Sequence, residues 1–498
     1  MTQHHSTSDS LDLNAIAHQA MLDADFVPDI TPAMSQELSS LQPTSKSVVP
    51  DSATRDLRSL LWSSIDDRKS RDLDQVEFAE SLPGDDIRVL VGIADVDEYV
   101  RKGSEIDGHA HANSTSVYTG VKTFHMLPEE LSTDLTSLVG GADRAAIVTE
   151  MTVGPDGAVK ASDVYPALVH NYAKLSYEAI GAWLDAKGPL PAELKTDSKM
   201  QAQIRLQFEA ARRLRELRRQ HGALELETIQ ASPVIDNTGR VVNLSVTERN
   251  SARDLIENFM IAANVAMAEF LEAKGVPMLR RVVRTPAHWP RIVELAQELG
   301  ETLPPQPDSR PLAEFLARRK AADPEHFPDL SLSIVKLLGP GEYTVQVGDS
   351  LEQSGHFGLA VNDYTHSTAP NRRYADLTTQ RLVKAALRKA PTPYTEAELT
   401  EIAAHCTERE DAARKVERKL RKVAAAVLLQ NRIGALFEAI VTGVTPKGTF
   451  ARVIRPPVDG RIERGEYGLR VGDKVHVRLL SVDPPRGFID FARVGHDK

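Results

Sequence analysis

The chain has 498 residues, of which 60 are Lys or Arg and 70 are Asp or Glu, giving a net charge of −10. Because 41% of the residues are hydrophobic and 26% are charged, the composition excludes a disordered chain, and the acidic balance excludes a histone-like polybasic protein. The single cysteine, Cys406, excludes an intrachain disulfide and a zinc ribbon, so a reducing, cytoplasmic compartment is expected.

The first 50 residues predict a polar tail and a small helical module, without a secretory signal. Amphipathic patterns predict short helices over 11–22 and 33–41, and a third over 51–61. Three short helices are also compatible with a helix-turn-helix, in which case the protein would be a DNA-binding regulator. The acidic character of this segment disfavours that interpretation, because contacts to phosphate need basic side chains.

From residue 62 the pattern alternates between strands and helices, which predicts a mixed α/β (α+β) domain over 51–433. No apolar run in it is long enough to predict a membrane span. Strands are predicted at 76–79, 87–94, 146–153 and within 222–248. Helices are predicted at 175–186, 199–220, 252–274, 310–322, 329–338, 374–389 and, with a break, 395–437.

The last part of the chain, 434–498, contains five short strand candidates separated by glycines. They lie at 439–444, 448–454, 458–463, 474–482 and 488–494. Five short strands in so few residues predict a small OB-fold β-barrel, a fold that commonly binds single-stranded nucleic acid.

Three aspartates, Asp66, Asp72 and Asp74, lie just before a predicted strand. Asp72 and Asp74 are two positions apart, so on a strand leading into Val76 both side chains would face the same side. Neighbouring carboxylates repel each other unless a cation lies between them, and Mg²⁺ prefers such oxygen ligands. Two such ions can stabilise both the attacking and the leaving oxygen when a phosphodiester bond is cleaved by in-line displacement. On spacing alone, an acidic surface loop is the alternative.

Two arginines, Arg372 and Arg373, follow Pro370, which predicts the first turn of a helix. A helix N-terminus that carries guanidinium groups is suited to binding phosphate. Arginine can also offset the charge that develops in a transition state. The alternative is a structural ion pair with Asp376.

Several stretches resemble the ribonuclease II / ribonuclease R (RNB) family of 3′→5′ exoribonucleases. They are IDDRKSRDLDQV with VGIADVDEYVRKGSEID, SVYTGVKTFHMLPEELSTDLTSL, KLSYEAI, LIENFMIAAN and HSTAPNRRYADL, which follow the family order over about 60–430. The tail is similar to the family's C-terminal OB-fold, of the type known from ribosomal protein S-one. Most members carry two N-terminal cold-shock barrels, and the residues before the catalytic block are too few for them, so a short form is expected.

The resemblance implies roles for the residues that match. Asp66, Asp72 and Asp74 match three of the family's four catalytic, metal-binding aspartates, and Asp74 matches the one most directly needed for chemistry. Arg372 matches the arginine that contacts the scissile phosphate. The implied RNA-binding residues are Tyr118, which stacks on the 3′-terminal bases, Tyr177 and Glu257, which lie near the 3′ end and are linked to the preference for ribose, and Arg373.

Two departures from the family pattern bear on the site. Gln75 stands where the family has its fourth aspartate; an amide oxygen can ligate Mg²⁺ but brings no charge, so metal affinity falls or Asp67 contributes instead. Leu226 stands at the position aligned with the second base-stacking aromatic residue, which leaves half of the stacking clamp missing.

The resemblance thus implies a cytoplasmic, monomeric and processive exoribonuclease, with no membrane or DNA partner. It would use Mg²⁺, or Mn²⁺ as a substitute, to hydrolyse single-stranded RNA from a free 3′ end to 5′-mononucleotides. Because Gln75 departs from the pattern, a catalytically impaired relative that only binds RNA is the alternative. The phosphates are expected along the basic stretches 205–220, 372–389 and 411–422.

Overall fold

A computed structural model describes residues 11–41, 54–229, 231–236, 239–347 and 355–495. Its helices are α1 Leu13–Leu22, α2 Pro32–Ser40, α3 Glu105–Asn113, α4 Tyr177–Leu184, α5 Ser198–Gln220, α6 Ser251–Ala273, α7 Trp289–Glu298, α8 Ser309–Ala322, α9 Phe327–Leu338, α10 Tyr374–Leu387 and α11 Glu396–Leu429. None of these described helices has the length and apolar character needed to cross a bilayer.

Twelve of the described strands precede the last two helices. They are β1 Arg55–Asp56, β2 Trp62–Asp66, β3 Gln75–Ser81, β4 Ile87–Ala94, β5 Val117–Tyr118, β6 Thr123–Phe124, β7 Asp143–Val153, β8 Val159–Ser176, β9 Ala231–Ile235, β10 Val241–Val246, β11 Met278–Val282 and β12 Glu342–Gln346. The last five are β13 Leu436–Thr445, β14 Gly448–Val453, β15 Val458–Arg464, β16 Lys474–Asp483 and β17 Phe488–Arg493.

The central sheet has the order β1-β8-β2-β3-β4-β7, and β8 also pairs with β7, so the sheet curls back on itself. Alternate residues of its strands enter two different cores. On β3, Val76 and Phe78 pack in the core that includes residues of α10 and α11, whereas Ala79 packs in the core formed with α5 and α6. The predicted mixed α/β domain is confirmed.

The C-terminal strands form a closed barrel in the order β13-β14-β15-β17-β16, which confirms the predicted OB-like domain. Gly460 permits closure, since a Cβ there would lie 2.3 Å from the Phe491 ring. The end of α11 packs against the barrel core through Ala426 and Leu429. The predicted division near residue 433 therefore falls between two elements that share one hydrophobic cluster.

The two N-terminal helices pack against the rest of the mixed α/β domain, and the third predicted helix does not form over its described residues 54–61. Residues 55–56 are instead strand β1, paired with β8, while 51–53 and the predicted tail over 1–10 lie outside the described residues. α1 packs against α11, and α2 packs against α3. The helix-turn-helix interpretation is wrong, because its third helix is absent over 54–61 and each helix buries its apolar face elsewhere.

Side-chain hydrogen bonds fasten this N-terminal segment. The buried Asn113 amide accepts from the Val27 N–H at 2.8 Å and donates to the Val27 carbonyl at 2.9 Å. Arg409 of α11 donates to the carbonyls of Ala24 and Asp25 at 2.9 and 3.1 Å. The segment is thus bonded to two helices of that domain.

We expect Asn113→Ala to loosen residues 11–41, because the Val27 N–H and carbonyl lose two part-buried hydrogen bonds, at a cost of about 1 kcal/mol each. Hydrogen exchange of this segment should accelerate while that of the barrel stays unchanged. His18→Ala, which removes only the more exposed His18–Asp29 pair, is the matched control and should have little effect. The prediction would be contradicted if residues 11–41 were equally protected from hydrogen exchange in the wild type, Asn113→Ala and His18→Ala.

Candidate active site

A cavity of about 270 Å³ opens where the ends of β2 and β3 meet the β5–β6 hairpin, α6 and the turn before α10. Its lining consists of Asp66, Asp67, Ser70, Asp72, Asp74, Gln75, Tyr118, Tyr177, Arg253, Ile256, Met260, Thr368 and Arg372. The four predicted metal ligands, Arg372 and the two predicted tyrosines are therefore brought together in one place, although they span about 300 positions of the sequence.

Backbone contacts set the position of the aspartates that precede β3. The Ala94 N–H donates to the Asp74 carbonyl, and the Leu138 N–H donates to the Leu73 carbonyl. The Ser137 hydroxyl accepts from the Leu73 N–H at 2.9 Å and donates to the Arg71 carbonyl at 2.6 Å. These bonds hold the loop so that Asp74 is the last residue before the strand and points into the cavity.

Asp74 and Arg372 form the central ion pair of the cavity. Arg372 Nε donates to Asp74 Oδ2 at 2.9 Å, and the Asn371 N–H donates to Asp74 Oδ1 at 3.3 Å. The Asp74 residue is only 2% exposed, whereas the Arg372 side chain is 44% exposed. Arg372 is thus anchored by one nitrogen and presents the rest of its guanidinium to the cavity.

The two predicted arginines have different roles. α10 begins at Tyr374, so Arg372 and Arg373 precede the helix, and the expectation that they occupy its first turn is wrong. Arg373 forms a two-pronged pair with the buried Asp376, at 2.9 and 2.7 Å, and does not line the cavity. The structural pair considered from the sequence is therefore made by Arg373, and Arg372 remains free to meet a ligand.

The other acidic residues are held by donors of the chain. Asp66 Oδ1 accepts from the Asp67 N–H at 2.7 Å, and Asp72 Oδ2 accepts from the Tyr118 hydroxyl at 3.2 Å. The Asp67 carboxylate pairs with Arg253 at 2.5 Å. Within the described ranges, no group of three His, Cys, Asp or Glu side chains is arranged as a metal cage.

The donor set of the cavity fits a hard divalent cation. Four carboxylates, those of Asp66, Asp67, Asp72 and Asp74, and the Gln75 amide line one small space, and oxygen atoms of these types are the preferred ligands of Mg²⁺. Burial, offset in part by Arg372, raises the pKa of Asp74 to about 6, and burial also raises the pKa of Asp66. A cation would relieve this cost, because it favours the charged form of both carboxylates.

Tyr118 also lines the cavity and is 42% exposed. Its backbone N–H donates to Glu417 Oε1 of α11 at 3.0 Å. The neighbouring Val117 is buried in a cluster with Met21 of α1 and Val416 of α11. The ring is therefore presented by a hairpin that two helices hold from behind, which suits a stacking surface.

Tyr177, Glu257 and Leu226 are placed differently from one another. Tyr177 lines the cavity, with the Arg253 guanidinium 4.3 Å from its ring centre. Glu257 is exposed, pairs with Arg249 at 2.9 Å and does not line the cavity. Leu226 packs against the apolar cluster around Trp289, outside the cavity lining.

Two site residues escaped the sequence analysis, namely Arg253 and Glu417. Arg253 lies just before the apolar stretch of α6 and links Asp67 to the Tyr177 ring. A lone cation at the start of an otherwise apolar helix was the available signal. Glu417 carried no signal, because it is one acid within the basic stretch 411–422.

The basic stretches are less available to RNA than their composition suggests. Arg381 and Lys384 of α10 are buried in ion pairs with Asp97 and Asp95. On α5, Arg213 is also buried, and several of its neighbours pair with glutamates. The stretch on α11 retains the exposed cations Lys415, Arg418 and Lys422.

Without metal, we expect Asp74→Asn to stabilise the fold more as the pH rises from 4 to 7. A carboxyl whose pKa rises to about 6 on folding favours the fold in its neutral form, and this contribution is lost as the pH rises through 6. Melting temperatures in EDTA measure the effect. Asp56→Asn is the control, because Arg58 lowers the pKa of Asp56 to about 2 and that carboxylate stays charged throughout. If Asp74→Asn raised the melting temperature by the same amount at every pH, the raised pKa of Asp74 would be contradicted.

Comparison with known proteins gives two family matches. The model of the RNB domain matches residues 54–389, about two thirds of the chain. The model of the RNase II-type exonuclease C-terminal S1 domain matches residues 435–494, which form the closed barrel.

Similar proteins include ribonuclease R of Thermotoga maritima, 31% identical over 89% of this chain and 65% of the relative, and ribonuclease R of Escherichia coli, 29% identical over 95% and 61%. The chain thus spans somewhat less than two thirds of the length of these relatives. A solved structure of Mycoplasma genitalium RNase R in complex with ribose methylated single-stranded RNA has the same fold, with a TM-score of 0.86 and 24% identity, and the match covers 97% of this chain and 78% of that one. The chain belongs to the family of proteins that carry the RNB domain.

Proposed function

We propose that the protein is a processive exoribonuclease that hydrolyses single-stranded RNA from its 3′ end and releases 5′-mononucleotides. The observation that carries this proposal is Arg372, anchored on the buried Asp74 and open to a cavity lined by carboxylates and faced by Tyr118. The RNB domain and the similarity to proteins named ribonuclease R support it. We further propose that it acts as a monomer in the cytoplasm.

In this proposal Asp66, Asp72, Asp74 and Gln75 hold the cation, which is Mg²⁺ or, as a substitute, Mn²⁺. When bound, such an ion activates water and offsets charge on phosphate oxygens. Arg372 binds the scissile phosphate through the nitrogens that Asp74 leaves free. Because Asp74 fixes the guanidinium before substrate arrives, the positive charge needs little reorganisation as negative charge develops on the phosphate.

The aromatic walls position the end of the strand. Tyr118 stacks on a terminal base, and the hydrogen bond from its hydroxyl to Asp72 ties the stacking surface to the metal side of the cavity. Tyr177 and Arg253, which contact each other, also line the cavity, and in this proposal they meet the terminal ribose. Glu257, Arg373 and Leu226 act at most indirectly in this arrangement, since they do not line the cavity.

One specific observation favours a second candidate, a catalytically impaired protein that binds RNA without cutting it. Gln75 supplies an amide where the family pattern has a carboxylate, and fewer charges weaken a divalent cation site. Labelled poly(A) RNA and a matched DNA, incubated with Mg²⁺ and with EDTA, separate the two. Release of mononucleotides from RNA in Mg²⁺ alone supports the nuclease, whereas retention of intact RNA supports the binding protein.

We expect Arg372→Lys to slow hydrolysis roughly 100- to 1,000-fold, because a point charge cannot hold Asp74 and a phosphate oxygen together. Single-turnover cleavage on denaturing gels measures the rate. Arg291→Lys, which changes an exposed arginine paired with Glu294 on α7, should cleave like the wild type. An Arg372→Lys rate within twofold of the wild-type rate would remove Arg372 from the mechanism.

Two substitutions at Tyr118 separate its ring from its hydroxyl. Tyr118→Ala should weaken RNA binding about 10- to 100-fold, because base stacking on an aromatic side chain contributes about 1–3 kcal/mol. Tyr118→Phe keeps the ring and should bind RNA nearly as well as the wild type. Fluorescence anisotropy in EDTA measures RNA binding by both variants. Tyr172→Ala, at an exposed position of β8, is the control and should bind RNA like the wild type. Equal binding by the two Tyr118 variants would rule out stacking.

A further inference from the structure

Glu77 is a buried acidic residue without a partner, next to the active-site cavity. Its exposed fraction is 0%, and neither carboxylate oxygen accepts a hydrogen bond. No ion pair of Glu77 occurs among the described residues. A carboxylate taken out of water in this way is costly, so its presence calls for a cation or donor that the chain itself does not provide.

The register of β3 places Glu77 directly behind the cavity wall. Gln75 and Glu77 are two positions apart, so their side chains leave the strand on the same face, and Gln75 lines the cavity. Glu77 is paired in register with Ser63 of β2, and Asp66 ends that same strand. Glu77 is thus one step deeper than Gln75, beside the strand that carries Asp66.

The electrostatic neighbours agree with this position. Burial, and then the charge of Asp66, raises the pKa of Glu77. Burial, then Asp66, then Glu77, raises the pKa of the Tyr177 hydroxyl, which lines the cavity. Glu77 therefore lies close enough to the cavity for Asp66 and Tyr177, which line it, to be among its electrostatic neighbours.

The local charge count explains why such a residue would be retained. Asp66, Asp67, Asp72 and Asp74 bring four negative charges to the cavity, and Arg253 and Arg372 offset two of them. Gln75 adds an oxygen but no charge, and the affinity of a carboxylate site for a divalent cation depends on the number of charged ligands. An acid one step behind Gln75 would restore that charge.

We propose that Glu77 is a further acidic residue of the divalent cation site, where it supplies from beneath Gln75 the negative charge that this amide lacks. This inference rests on the proposed function, because it takes the cavity to be a cation site. The competing interpretation is that Glu77 is a neutral core residue between the sheet and α5, near Gln207, whose side-chain oxygen also lacks a partner.

The test is cation binding without RNA, which does not depend on catalysis. Isothermal titration of the full chain with Mn²⁺ compares the wild type, Glu77→Gln and Glu80→Gln. We expect Glu77→Gln to weaken binding about tenfold or more, because one ligand charge is lost. Glu80→Gln removes a carboxylate from the same strand that is paired with Arg88, and should stay within about twofold of the wild type.

A rescue variant separates charge from packing. If Glu77 serves as the missing charge, Gln75→Asp combined with Glu77→Gln should regain most of the lost affinity. Without metal, the melting temperature of Glu77→Gln should equal or exceed that of the wild type. Addition of Mg²⁺ should raise the melting temperature of Glu77→Gln by less than it raises that of the wild type. Glu77→Leu repeats the test with an apolar side chain in case the amide perturbs folding.

The outcomes distinguish this inference from the proposed function. Wild-type affinity in both Glu77→Gln and Glu77→Leu overturns the role of Glu77, while cleavage of RNA in Mg²⁺ by the same proteins would leave the exoribonuclease assignment standing. Absence of Mn²⁺ binding by the wild type, with no cleavage of RNA, overturns both. Weaker Mn²⁺ binding by the Glu77 variants, with the affinity restored when Gln75→Asp is added to Glu77→Gln, supports the inference.

Discussion

The ion pair between Asp74 and Arg372 is the interaction on which the site depends, and it joins residues 298 positions apart. A carboxylate that is 2% exposed needs a charged donor, and the donor must come from the turn before α10 because β3 offers none. The same turn is fixed from the other side by Arg373 and Asp376. The central sheet and α10 must therefore dock correctly before the cavity exists at all.

Strand β3 performs two tasks because its residues alternate between two cores. Val76 and Phe78 secure the strand against the α10 side, while Gln75 and Glu77 face the α6 side. At the start of the strand, Asp74, just before β3, and Gln75, its first residue, both line the cavity. One short segment thus combines hydrophobic anchoring with the chemistry of the site.

Contiguous motifs were predictable from the sequence, whereas contacts between distant segments were not. The aspartates, Arg372 and Tyr118 were found because each lies in a recognisable stretch, and the five barrel strands because glycines separate them. The pairing of Glu257 with Arg249 was not predictable, because the resemblance suggests a role for Glu257 but does not reveal its partner. The burial of Arg381 and Lys384 was missed because charge in a sequence does not reveal its partner.

The long helix α11 has a mechanical consequence. Its 34 residues span about 50 Å, and it touches the N-terminal segment through Arg409, the Tyr118 hairpin through Glu417 and the barrel through Leu429. A helix is stiff along its axis, so these three regions share one rod. A displacement of the barrel along the axis of α11 would therefore be transmitted to the hairpin that carries Tyr118 and to the N-terminal segment.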